Sequence, residues 1–178
     1  MVLKSADPRG PADSADPAGV VQAVTAGVVR LVTGNLTPQE RERTLDALAD
    51  LYAEQTHVRH PLAPLGDQPM RSRAELRAHF AAAPSQEAGI RSFASTDMVV
   101  HRTADPEIVI AEFAYAVGTD RGAFTVPCIF VVRVHDGRIV ESRDYADPLT
   151  FARALGQLPA LADALTAENA PPTAETRS

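Results

Sequence analysis

Tryptophan is absent from this 178-residue chain, cysteine occurs once, and aromatic residues make up only 5% of it. Each scarcity excludes something. The lone Cys128 cannot form an internal disulfide, and it fits a reducing compartment. No apolar run approaches the roughly 20 residues that a membrane-spanning helix needs. Lys4 is not followed by the apolar stretch of a secretory signal. Lys and Arg nowhere cluster, and the formal net charge is −6, so a nucleic-acid surface is not expected. There is no P-loop, no dinucleotide-binding glycine pattern and no Gly-x-Ser-x-Gly elbow. No cofactor is therefore expected. What remains is an acidic, cytoplasmic domain whose 45% apolar content, much of it alanine, is enough for one core.

Residues 1–17 and 166–178 are rich in Pro, Ala and polar residues and read as disordered tails around one α+β domain at 18–165. Val21, Val24, Val28, Leu31 and Val32 recur at helical spacing until Gly34-Asn35. Thr37-Pro38-Gln39-Glu40 is a complete helix start, with cap, first-turn proline and returning acid. Leu45, Leu48, Ala49 and Tyr52 continue that helix. An extended segment over 55–60 runs into Pro61, which biases His60 towards extended backbone. Ser72 to Glu75 is a second capping box, opening a helix with Leu76 and Phe80 on one side that Pro84 ends. The period then changes. The runs 92–101, 108–117, 124–134 and 138–145 read as strands, and Asp136-Gly137 is a two-residue hairpin signal. A last helical segment, 149–165, contains Pro159, expected to kink or break it.

Helices first and an antiparallel meander afterwards imply helices packed on one face of a sheet. Strand alternation places Phe113 and Tyr115 on one face of the second run, and Val126, Cys128 and Phe130 on the matching face of the third. Pro127 predicts a bulge, and bulges curve sheets. A curved sheet under helices leaves an apolar cavity, here expected to be lined also by Tyr52, Val58, Phe80 and Phe151. The opposite sheet face is apolar enough that a homodimer through the sheet is expected.

Two ionisable residues are the candidate polar pair of this cavity. His60 has an imidazole that can act as a base near neutral pH, since its ordinary value lies near pH ~6.5. Asp144 shares a strand face with Val140 and Ser142, and a carboxylate there needs a partner, which His60 supplies. Tyr115 is a candidate hydrogen-bond donor to a substrate oxygen. Cys128 reads as a small buried hydrophobe. His57 and His60, three apart in an extended segment, point to opposite faces, so no metal site is expected.

Three segments in order carry a resemblance: LYAEQTHVRHP (51–61), RSRAELRAHF (71–80) and VRVHDGRIVESRDYADP (132–148). Together they resemble the SnoaL-like branch of the nuclear transport factor 2-like superfamily, over about 18–158. The resemblance implies a cone-shaped α+β barrel: helices on a strongly curved antiparallel sheet, usually dimeric. Relatives include ketosteroid isomerases, polyketide cyclases, limonene epoxide hydrolases and members that are not enzymes. His60 stands where the isomerases carry their catalytic carboxylate. Their oxyanion tyrosine and protonated Asp have no counterpart here. Asp144, within RDYAD, matches one of the epoxide hydrolases' two catalytic aspartates, whereas their Arg and second Asp fall on Phe113 and Tyr115. Two functions follow as expectations. One is a cofactor-independent acid–base enzyme on a hydrophobic small molecule, polyketide or terpenoid-like by family. It would have His60 as base and Asp144 and Tyr115 as partners. The other is a non-catalytic ligand-binding or dimeric accessory protein.

Overall fold

The structure, a computed structural model, describes residues 16–83 and 89–168. Pro84 and the tail residues 1–15 and 169–178 lie outside them. Two helices open the fold, α1 (Pro17–Thr33) and α2 (Pro38–Asp50). The start of α2 is built as its sequence predicts: the Thr37 side chain accepts from the Glu40 amide, and the Glu40 carboxylate accepts from the Thr37 amide at 2.9 Å. The helix stops two residues before Tyr52, which instead begins strand β1 (Tyr52–Arg59). A short strand β2 (Met70–Ser72), not foreseen from the sequence, precedes α3 (Arg73–Ala81). Ser72 caps α3 at the Glu75 amide, but the Glu75 carboxylate reaches back to the Arg71 amide, so the second box is only half formed.

Four long strands follow: β3 (Ile90–Arg102), β4 (Ile108–Thr119), β5 (Gly122–His135) and β6 (Arg138–Ala146). Asp136 and Gly137, both at positive φ (49° and 72°), make the tight turn between β5 and β6. The expected last helix is two, α4 (Pro148–Leu155) and α5 (Leu158–Glu168). Gly156, left-handed at φ 71°, ends α4, so the break lies before Pro159, which sits in the first turn of α5.

The sheet has the order β2-β1-β6-β5-β4-β3. Its neighbours are antiparallel except β1 and β6, which run parallel. The chain thus forms the expected α+β cone, with helices on the concave face of a mixed, unclosed sheet. Pro127 makes no bulge: Ala114 stays in register with it, and its carbonyl accepts from the Asp147 amide at 3.2 Å. Its missing N–H thus falls on the edge that β6 has already left. Curvature comes from other register shifts, one at Asp97 (φ 56°) in β3 and another between Arg133 and Val134 opposite β6. The latter leaves Val140 unpaired and puts Ile139, rather than Val140, on the face of Ser142 and Asp144.

Helix α1 lies across β3, and α4 lies against β5 and β4. Val109, Ala111, Phe113, Tyr115 and Val117 of β4 are all buried, as are Val126, Cys128, Val132 and Val134 of β5. Each buried Val or Leu stabilises such a core by about 1.5–3 kcal/mol. No helix among the described residues is long and apolar enough to cross a membrane.

Candidate functional site

The concave sheet face, α1, α3, the loop after β1 and the α4–α5 pair line a partly open cavity of about 850 Å³. That volume lies in the range of drug-sized ligand sites. Its walls are mostly apolar, and the charged or titratable side chains among the described lining residues are His60, His79, Asp144 and the two phenols.

Asp144 reaches the cavity because the β5–β6 register sets it directly opposite Phe130. Its side chain opens on the cavity and is desolvated on its other sides, which pushes the carboxyl up to about 6. Two effects oppose that rise, a hydrogen bond donated by the buried Ser142 hydroxyl to Oδ1 and the nearby His60 imidazole. Oδ2 has no protein partner among the described residues, and no buried side-chain polar atom there is left unpaired. Oδ2 therefore faces open cavity. The same argument applies to the Tyr52 and Tyr115 hydroxyls, whose phenols are held well above their ordinary value, first by burial and also by the Asp144 charge.

His60 is placed by a local clamp at the end of β1. Asp67 accepts the His60 backbone N–H at 2.9 Å on Oδ1 and the Arg59 Nε–H at 2.6 Å on Oδ2. His60 and Asp144 border one cavity and interact electrostatically, but no direct hydrogen bond joins them. The nearest ring to His60 is instead His79 on α3, with centroids 5.2 Å apart and planes tilted by 31°. Burial, and secondarily His60, holds the His79 imidazole below its ordinary value, although the residue as a whole sits on the exposed side of α3.

Of the residues expected to line the cavity, His60, Asp144, Tyr115, Tyr52, Phe80, Phe130 and Phe151 do so. Val58, Phe113, Val126 and Cys128 do not. All four are buried in the core without reaching the cavity. Phe113 is covered edge-on by Tyr115 (5.1 Å) and Phe130 (4.9 Å). Cys128 donates to the Val126 carbonyl at 3.6 Å, and burial pushes its thiol up to about 12.

Sequence reasoning missed His79 and the rim residues Leu62 and Leu65, apolar yet about half exposed, and it placed Ser142 on the face of Asp144 without foreseeing the bond between them. Among the described residues, no cluster of three His, Cys, Asp or Glu is arranged to hold a metal.

A sequence model of the SnoaL-like domain matches residues 39–142. The uncharacterized protein YesE of Bacillus subtilis (strain 168) is 30% identical over 119 residues, spanning 65% of this chain and 78% of YesE. Among solved structures, a proposed isomerase from Bacillus subtilis superposes with a TM-score of 0.61 at 24% identity, over 80% of this chain and 94% of its own. A proposed polyketide cyclase from Pseudomonas putida KT2440 gives 0.56 at 16%, over 78% and 96%. At such identities the structural matches establish the cone fold alone.

Proposed function

The chain belongs to the SnoaL-like domain family, and from that premise we propose that it is a cofactor-independent acid–base enzyme acting on a hydrophobic metabolite. The reaction is of the isomerase, cyclase or hydrolase type, and a polyketide- or terpenoid-like substrate accords with the cyclase among its structural neighbours. One observation carries this reading. A titratable imidazole and a desolvated carboxylate with an open oxygen face the same apolar cavity, an arrangement found preferentially at catalytic sites.

His60 is the base in this scheme, since its ring has no other hydrogen-bond partner among the described residues. Tyr115 donates its hydroxyl to the substrate oxygen that gains charge as the proton leaves. Asp144 faces His60 as a fixed negative charge. We further place the protein in the cytoplasm as a homodimer through the convex sheet face. There Val99 and Ile129 are exposed (52% and 44%), and each pairs across its strand with Glu112.

The lack of a direct His60–Asp144 bond favours a second reading, a pocket that binds a ligand without transforming it. Nitrobenzisoxazole separates the two, because its ring opens once any base removes its C–H proton. The enzyme reading expects opening faster than in buffer by about 10²–10⁴-fold, lost in His60→Gln. A wild-type protein no faster than buffer, but still binding an apolar dye, supports the second reading.

A further inference from the structure

Which ligand charge the cavity accepts follows from its lining. Apart from His60 and His79, no cationic side chain among the described residues reaches it, and Asp144 is the acid that does. Asp144 Oδ1 is occupied by Ser142, whereas Oδ2 opens on the cavity without a protein partner. Aromatic side chains line the same cavity. Phe130 stands directly across the strand pair from Asp144. Tyr115 packs against Phe93 (4.6 Å) and Phe151 (6.3 Å), and Tyr52 lies within electrostatic range of the carboxylate.

A carboxylate in a cavity lined by aromatic side chains is the chemistry that holds a positive nitrogen. The anion accepts a charge-assisted hydrogen bond, and the ring faces attract the remaining charge. A ligand carboxylate or phosphate would meet Asp144 with neither Arg nor Lys to compensate, and like charges in a desolvated site repel strongly. We propose that the natural ligand is a hydrophobic amine, whose ammonium hydrogen-bonds Asp144 Oδ2 while its apolar body fills the cavity between Phe130, Phe151 and α5. This rests on the cavity being the substrate site. With the ammonium on Asp144, the His60 imidazole is left to act on the substrate as base.

Three probes with one apolar body test this: phenylbutylamine, phenylbutanol and phenylbutanoate, titrated calorimetrically into the wild-type protein near neutral pH. The amine binds tighter than the alcohol by on the order of ten- to hundredfold, as expected for a hydrogen bond to a charged group, and the carboxylate binds weakest. Asp144→Asn abolishes the amine's advantage and leaves the alcohol's affinity in place. Amine affinity also rises with pH through about 6, as Asp144 loses its proton, and alcohol affinity does not. The groups facing Asp144 are His60, Ser142, Tyr52, Tyr115 and Cys128. Both phenols and the thiol stay protonated throughout that range, and loss of the pH dependence in Asp144→Asn assigns it to Asp144 rather than to an imidazole of the cavity. Alcohol and amine binding equally, or an amine advantage that survives Asp144→Asn, overturns the inference and leaves the enzyme reading standing. Binding of none of the three overturns both.

Discussion

The imidazole rings of His60 and His79 lie 5.2 Å apart, although one ends a strand and the other sits on a helix. Their proximity couples the rim of the cavity to its acid. His60 interacts with Asp144 inward and with His79 outward. Burial acts first on His79 and the His60 charge second, and both disfavour its imidazolium form. A proton-detected titration should therefore place the His79 midpoint below the ordinary imidazole value near pH ~6.5. In His60→Gln the midpoint should move only part of the way back up, because burial persists. A midpoint at the ordinary value in the wild type would contradict the ring placement.

Asp144→Asn should stabilise the protein above pH ~6. The folded state holds the Asp144 carboxyl up to about 6, above its unfolded value. Folding therefore binds a proton between the two values. The associated stability is fully present below the unfolded value and is lost as pH rises through about 6. The Asn variant has no such loss. Relieving a desolvated polar group contributes roughly 1–3 kcal/mol, and for a chain of this size each kcal/mol moves Tm by about 2–4 °C. Calorimetric Tm values of the two proteins should diverge upward through that window. A variant less stable than wild type at pH ~8 would mean that Asp144 is neutralised in the fold.

Much of this site was legible in sequence because strand alternation is strict. The faces assigned to β4 and β5 are those observed, and Tyr115 and Phe130 reach the cavity as a result. Alternation fixes a face but not the layer in front of it. Phe113 and Cys128 thus point the expected way and are still screened by neighbouring side chains. The β6 bulge at Val140 had no signal, since neither Gly nor Pro marks it and only the opposing strand defines the register. The parallel pairing of β1 with β6 is likewise a long-range choice, invisible to local periodicity. His79 reaches the cavity from the exposed side of α3, beside the His60 ring 5.2 Å away, a long-range placement that no local period marks.

Cys128 should resist thiol reagents in the native state. The residue is 1% exposed, and burial followed by the Asp144 charge pushes the thiol up to about 12, so the thiolate is scarce near neutral pH. Labelling with iodoacetamide is expected only after denaturant unfolds the chain. Rapid native labelling would place Cys128 at the cavity wall instead of behind it.

The Asp67 clamp predicts how tightly the candidate base is held. Oδ1 of Asp67 takes the His60 amide and Oδ2 the Arg59 guanidinium, so the two oxygens have separable jobs. Asp67→Ala removes both, and amide exchange at His60 should quicken by about tenfold or more as that strand end opens locally. Asp67→Asn keeps a carbonyl acceptor for the His60 amide but loses the ion pair, so exchange should stay close to wild type. Phe113, in the centre of the sheet, should exchange alike in all three proteins. These same bonds hold the Asp67 carboxyl below its ordinary value, led by the His60 amide. The clamp's stabilisation is therefore present above the unfolded value and is lost only as pH falls through the depressed one. His60 should then remain fixed in mild acid, where ordinary carboxylates begin to neutralise. Equal His60 exchange in Asp67→Ala and wild type would show that Pro61 and the strand alone position the imidazole.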